Sequence, residues 1–461
     1  MSDAQARYRD KLITKQELVG MFQPGQFVQL GVWYGEPWGT MAAINEYWKS
    51  PGPLNIGAAI ATSPSQYLNL PGIQAFTGFV GPRERESQIK NNNVFYTPSQ
   101  YTDASRSIRT NNPHDFLIHR VAPMDERGMF NFSLTASWEY GAIEYIRKHI
   151  PQTKVVFEVN PHLPRIPGLP ALGNNELSID YCDYIVEDDT PLMEYPTAPP
   201  NEAEQGIARN VAELIEDGAT VQLGFGTIPM AIGKLLASRK DLGIHTEMFC
   251  EGHVDLIEAG VVTNARKGLH DGLSVATFAL GTKRLHNFLR DNKDIAMLPV
   301  EKVNGPAELA KINKMACVNS VLMVDMNGQA CAHCLGKKTY SGLGGAFEFA
   351  SGALLSPGGK SISCLPSTTT LKDGRKVSNI VAQFEQGARI TIPEHTIDWV
   401  VTEFGAARLK FMPLERRAEA LIGIAHPDFR EDLARSMSAA GMRLEKLSGM
   451  PAVPAGYYSR A

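Results

Sequence analysis

The four residues Val-Gln-Leu-Gly occur twice in this chain, at Val28 to Gly31 and again at Val221 to Gly224, in the same setting both times. In the first copy Thr14 and Glu17 form a capping box ahead of Leu18, and Pro24-Gly25 stops that short helix. Phe27 to Trp33 then reads as a strand, Gly35-Glu36-Pro37 breaks it, and Met41, Ile44 and Trp48 mark one face of a following helix. In the second copy Asn201 caps a helix whose Ile207, Val211 and Leu214 share a face, and Asp217-Gly218 turns the chain. Val221 to Leu223 is a buried strand, Gly224-Phe225-Gly226 is a glycine turn, and a helix opens at Pro229, where a missing N–H costs nothing. Four matching letters alone carry little weight. At the same place in the same order of elements, they predict two domains of one architecture.

The rest of the chain fits that frame. Strands are predicted near Leu54 to Ala61, Phe116 to Val121, Lys154 to Val159 and Tyr184 to Glu187, with a helix over Trp138 to Lys148. The proline-dense stretch Pro161 to Pro170 reads as an extended loop, most simply a surface arm that packs on the second domain. Beyond it, strands are predicted near Ile244 to Phe249, Leu273 to Ala279, Ile295 to Val300, Ser320 to Asp325, Lys360 to Leu365, Ile380 to Phe384 and Trp399 to Thr402. Helices are predicted over Lys283 to Arg290, Ala307 to Lys314, Phe347 to Leu355, Leu414 to Ile424 and Pro427 to Met442. Strands alternating with helices give an α/β class with a mostly parallel open sheet in each domain. The expected division is 1–190 and 201–461, joined at 191–200, because Thr190 to Pro200 holds four prolines.

Composition narrows the function. With 20% charged residues and a formal net charge of -4, the chain has no basic field to hold nucleic acid. The start, MSDAQARYRDK, has no apolar core and predicts no signal peptide, and no apolar run is long enough to cross a bilayer. Six cysteines in 461 residues give no disulfide framework, so a cytoplasmic setting is expected. Cys331-Ala332-His333-Cys334 alone has metal-like spacing, and a buried thiol pair beside a strand is the better reading. No metal is expected.

Ligands of open α/β sheets gather at the carboxyl ends of strands, which brings the Gly224-Phe225-Gly226 turn and Glu247, near the end of the next strand, into one candidate crevice. The turn offers backbone N–H groups, and Glu247 offers an oxygen nucleophile or base. A second glycine turn, Tyr340-Ser341-Gly342-Leu343-Gly344-Gly345, leads into the helix predicted from Phe347. Backbone amides aimed at one point stabilise the oxyanion of a tetrahedral acyl intermediate by roughly 3 kcal/mol per donor. Two such turns and one carboxylate point to acyl chemistry. A dinucleotide site is the weaker reading, since Thr227-Ile228-Pro229 stands where a third glycine belongs. Glu251, Asp255 and Glu258 fall on an amphipathic helix as a solvated face, and His245 shares the strand face of Glu247.

These stretches carry a resemblance. GFGTIPMAIGKLL, DLGIHTEMFCEGHVDLIEAGVVTN, YSGLGGAFEFASGA, LPSTTT, VTEFGAARL and RRAEALIGIAHPDFR together resemble the class I CoA-transferases. The nearest branch is that of acetyl-CoA hydrolase/transferase, butyrate and 4-hydroxybutyrate CoA-transferases. The resemblance implies two similar open α/β domains with the active site in the cleft between them. It implies Glu247, in the HTEMF segment, as nucleophile, and oxyanion amides at Phe225 or Gly226 and at Gly344 or Gly345, with Gly224 in the first turn. Tyr340, Ser341, Gly342, Ala346 and Ser367 fall at positions that line the CoA channel.

The implied reaction is double displacement on short-chain acyl-CoA such as acetyl-, butyryl- or 4-hydroxybutyryl-CoA, with a carboxylate acceptor. Coenzyme A is a substrate, no cofactor is held tightly, and a homodimer is the family's usual state. Two alternatives are an acyl-CoA hydrolase on the same scaffold and a ligand-sensing protein without the chemistry. The chain departs from the family at Gly344-Gly345-Ala346-Phe347-Glu348-Phe349, where GGQ-x-DF is usual. Ser351 replaces an arginine and Arg408 an acidic residue, and the first difference implies a more apolar acyl pocket.

Overall fold

Seven short strands, each running into a helix or turn, make the first sheet: β1 Phe27–Leu30, β2 Leu54–Gly57, β3 Ile73–Thr77, β4 Val94–Tyr96, β5 Phe116–Val121, β6 Lys154–Val159 and β7 Tyr184–Glu187. Their order is β4-β3-β2-β1-β5-β6-β7, and every pairing is parallel. The strand order therefore reverses at β1, with β2 on one side and β5 on the other. This is a computed structural model, and it describes residues 3–50, 52–57, 64–110, 114–224, 226–442 and 458–460.

Parallel sheets need both faces covered, and β5 shows how this chain does it. All six of its residues are buried. Phe116 and Ile118 join Val28, Leu30, Met41 and Ile44 in one cluster, while Leu117 and Val121 join Phe130, Ile143, Ile146 and Phe157 in another. The first cluster is closed by α1, Lys15–Gly20, and α2, Trp38–Tyr47, and the second by α3, Glu139–His149. Each such apolar side chain contributes about 1.5–3 kcal/mol when fully buried. The Thr14–Glu17 capping box is formed in full. The stretch 161–170 is extended as expected, with Pro161, His162 and Pro170 exposed and Leu163 and Ile166 buried, and Ile166 N–H and C=O both bond the Asn131 side chain.

The chain divides into two compact units. One comprises Met1–Tyr195, Glu247–Phe249 and Val275–Val303; the other comprises Pro196–Thr246, Cys250–Ser274 and Asn304–Ala461. The second opens with α4, Glu202–Leu214, β8, Thr220–Leu223, and α5, Thr227–Leu235, so the repeated order is present in both. Along the chain follow β9, Gly243–Phe249, α6, Glu251–Glu258, and β10, Ser274–Ala279, with Glu247–Phe249 and Val275–Ala279 counting with the first unit, then β11, Met315–Ser320, β12, Lys360–Cys364, and the hairpin of β13, Trp399–Thr402, and β14, Gly405–Arg408. The sheet order includes β9-β8-β11-β12-β13-β14, with the pairings from β9 to β13 parallel and β14 antiparallel both to β13 and to Tyr458–Arg460. Order again reverses at the Val-Gln-Leu-Gly strand, here β8.

Several sequence expectations differ, among them the strands over Ile295 to Val300 and Ile380 to Phe384, which are only Ile295–Met297 and Ile380–Val381. The helix over Ala307 to Lys314 is only Pro306–Leu309, and β11 is a strand the periodicity does not predict. Met315-Ala316-Cys317-Val318 is an unbroken apolar run, which a central parallel strand and a buried helix share. Its registry with Thr220 and Lys360 decides it. All six cysteines are free and buried. Among the described residues no helix is long and apolar enough to cross a membrane.

Candidate active site

The first glycine turn leaves β8 at its carboxyl end, where the strand order reverses. Gly226 has φ 121° and ψ -169°, a region that only glycine occupies without strain, and it caps α5. Thr227 donates its hydroxyl to Glu204 Oε1 at 2.6 Å, and Glu204 Oε2 completes the Asn201 capping box of α4. One carboxylate thus anchors the start of both helices. Among the described residues, a Cβ built on Gly224 or on Gly226 would meet no atom within 4 Å, so the turn borders open space there. Phe225 lies outside the described residues.

Glu247 stands two residues from the end of β9. His245, Thr246 and Phe249 are fully buried, whereas Glu247 and Met248 are half-buried, so the strand becomes accessible at these two residues near its end. Thr246 donates its hydroxyl to the Leu223 carbonyl at 3.2 Å, and the Cys250 thiol reaches the Gly224 carbonyl at 3.9 Å. These two bonds flank Glu247 in the chain and tie its flanks to the β8 turn. Cys250 N–H also bonds His253 Nδ1 at 3.1 Å. Burial pushes the Cys250 thiol up to about 12 and the His253 imidazole down to about 4. Both are neutral near pH 7, so the thiol is a poor nucleophile there.

The first unit supplies a further set of groups. Trp33, just beyond β1, holds φ 53°, and Ser137 holds φ 45°; both are conformations that non-glycine residues rarely take. Trp33 stacks on Phe278 of β10 with ring centroids 4.9 Å apart, and Tyr101 meets the same ring edge-on at 6.0 Å. Tyr101 Oη and Ser137 Oγ share a hydrogen bond of 2.6 Å. Burial raises the Tyr101 phenol well above its ordinary value, and the charges of Glu139 and Glu247 add to the shift. Val32 N–H donates to Glu139 Oε1 at 2.8 Å, which fixes the approach to Trp33. The loop's other end is fixed by Arg120, which bonds the Tyr34 carbonyl and lies 4.5 Å above the Trp38 ring, and by Glu158, which accepts from Gly39 and Thr40 N–H.

The second glycine turn is ordered by its neighbours. Tyr340 and Ser341 N–H both donate to the His333 carbonyl, at 2.9 and 3.1 Å. Gly344 takes φ 50° and Gly345 caps the helix α7, Ala346–Leu355. Tyr340 is exposed, Ser341, Gly344 and Ala346 are half-buried, and Gly342 and Gly345 are buried. Glu348 is fully buried and accepts from Asn304 Nδ2 at 3.1 Å. Ser367 is fully buried, and both its N–H and its hydroxyl go to Glu403, at 2.9 and 2.6 Å. Cys331 and Cys334 sit with sulfurs 3.2 Å apart, and Cys334 Sγ accepts from Arg389 N–H. Among the described residues no three His, Cys, Asp or Glu side chains converge as a metal site.

Sequence reading did not single out Tyr101, Ser137, Glu139, Asn304 or Glu403. Glu403 lies in the VTEFGAARL stretch without having been given a role, and the other four belong to no local motif, so only the fold assembles them. A cavity of about 560 Å³ in the first unit, lined by Tyr8, Pro123, Met124, Glu187, Asp188 and others, contains none of the residues above.

The comparisons with known proteins cover nearly the whole chain. Residues 1–194 match the acetyl-CoA hydrolase/transferase N-terminal domain, and residues 281–437 match the C-terminal domain of the same name. The succinyl-CoA:cyclohexane-1-carboxylate CoA transferase of Geobacter metallireducens is 36% identical over 93% of this chain and 95% of its own. The 4-hydroxybutyrate coenzyme A transferase of Clostridium kluyveri is also 36% identical, over 92% of this chain and 97% of its own. The crystal structure of RipA from Yersinia pestis superposes with a TM-score of 0.86 at 31% identity, covering 96% of this chain and all of that one.

Proposed function

Because this chain belongs to the acetyl-CoA hydrolase/transferase family and is an enzyme of the CoA-transferase type, we propose that it moves coenzyme A from a short-chain acyl-CoA to a carboxylate through Glu247. The observation that supports this most is that Glu247 is half-buried near the end of a strand whose Thr246 and following Cys250 bond the glycine turn after β8. A carboxylate can act as a nucleophile and form a covalent acyl intermediate.

In this mechanism Glu247 attacks the thioester carbonyl, the C–S bond breaks, and an acyl-glutamyl anhydride forms with release of CoA thiolate. The thiolate attacks the glutamyl carbonyl and expels the acyl group as a free carboxylate, leaving a glutamyl-CoA thioester. The acceptor carboxylate then runs both steps in reverse. Main-chain N–H groups at Gly226 and at Gly344 or Gly345 are assigned to the oxyanions, where each donor contributes roughly 3 kcal/mol. Tyr340, Ser341, Gly342 and Ala346 are assigned to the CoA chain, and Ser367 is assigned to hold Glu403 near it. Excluding water preserves the thioester.

The test is chemical trapping. Enzyme incubated with acetyl-CoA and then reduced with borohydride should carry a mass loss on the Glu247 peptide. Glu247→Ala should give no adduct and lower turnover by roughly three orders of magnitude or more. Normal turnover in that variant would reject the assignment.

A further inference from the structure

The rings beside Glu247 bear on which acyl group this enzyme takes, an inference that rests on the assignment of Glu247 as nucleophile. Trp33, Tyr101 and Phe278 form a corner in the first unit: Trp33 lies flat on Phe278, and Tyr101 stands edge-on to the same ring. Phe278 is 2% exposed and acts as the backing, while Trp33 and Tyr101 are each half-buried. The corner sits where a ligand is expected, at the carboxyl end of β1, the point at which the strand order of the first sheet reverses.

Its position next to the nucleophile follows from the backbone. Leu280 N–H bonds the Phe249 carbonyl at 3.0 Å, which lays the end of β10 beside the segment Glu247–Phe249. Ala136 and Ser137 N–H both bond the Thr277 carbonyl, at 3.0 and 3.1 Å, and Ser137 then holds the Tyr101 hydroxyl. The Glu247 charge is felt at the Tyr101 phenol, which accords with that placement. Trp33 is held in its left-handed backbone by Val32 N–H on Glu139 and by the Gly35 N–H on the Val32 carbonyl, so the indole is fixed before any ligand arrives.

We propose that Trp33 and Tyr101, backed by Phe278, are specificity-determining residues that favour an acyl group with a flat or cyclic hydrocarbon body over acetyl. An acetyl group leaves two ring surfaces wet, whereas a six-membered ring covers them, and fixed aromatic faces lose little freedom in doing so.

Steady-state kinetics with benzoyl-CoA, cyclohexanecarbonyl-CoA and acetyl-CoA as donors to one acceptor, together with borohydride trapping, test this. The better cyclic donor should exceed acetyl-CoA in kcat/KM by about tenfold or more. Trp33→Ala should lower that ratio about tenfold, and Trp33→Phe should restore most of it. A wild-type ratio at or below one overturns the inference whatever the variants do, as does an unchanged ratio in Trp33→Ala. Adducts on Glu247 with a ratio that fails leave the nucleophile standing and remove only the aromatic assignment. No adduct on Glu247 with any donor removes both.

Discussion

Glu139 and His119 face each other inside the first unit with His119 Nδ1 3.9 Å from Glu139 Oε1, yet they are not an ion pair at neutral pH. Burial raises the carboxyl from 4.5 to about 8 and lowers the imidazole from 6.5 to about 3, so both sit neutral. The sign of the consequence follows from linkage. A group whose folded pKa lies above its unfolded one contributes stability that is full below the unfolded value and is lost as pH rises through the folded value. For Glu139 that window runs from about 4.5 to about 8. Glu139→Gln keeps the shape and removes the titration, so its melting temperature should gain on the parent's as pH rises from 5 to 8. Thermal unfolding at several pH values checks this, and a constant difference would contradict it. This pair was not legible in the sequence, because 20 residues of unrelated pattern separate two groups that only β5 and α3 bring together. Glu247 was legible, because a strand end beside a glycine turn is a local pattern.

The glycine turn after β8 separates two roles that one residue type can play. Gly226 is needed for its backbone: φ 121° costs an alanine about 1–3 kcal/mol, so Gly226→Ala should lower the melting temperature. Gly224 has an ordinary φ and open space before it, so Gly224→Ala should fold with near-parental stability and lose kcat/KM because its methyl stands where the ligand passes. Calorimetry and kinetics on the two variants separate these effects; a large loss of stability in Gly224→Ala would refute the reading. At the hairpin of β13 and β14, Arg408 lies opposite Trp399 and pairs with Asp398 at 3.5 Å, which gives that side chain a local partner. Elements with strong periodicity, such as Leu414–Ile424 and Lys154–Val159, match the sequence reading at both ends. The central strand β11 does not, since a buried parallel strand carries no alternation to read.

Over the whole molecule, the duplicated order of helix, strand, glycine turn and helix predicts the architecture because each copy must bury the same faces of a parallel strand. It does not predict that Glu247–Phe249 and Val275–Val303 pack with the N-terminal part, since packing partners distant in sequence leave no local trace. The family includes hydrolases by name, so the acceptor decides the activity. CoA release from acetyl-CoA should rise severalfold on adding a carboxylate acceptor, with a thioester of that acceptor as product. Release indifferent to acceptor would make water the acceptor instead.

Every thiol of this chain is sealed inside it, Cys182 in the first unit and Cys250, Cys317, Cys331, Cys334 and Cys364 in the second. Native protein should therefore stay silent to a maleimide dye, and labelling can report only breathing or melting. A lone early tag on Cys182 would mark the N-terminal body loosening before its neighbour, and five tags arriving together would mark the reverse. The enzyme thus carries its own unfolding reporter, sorted by half, with no engineered label.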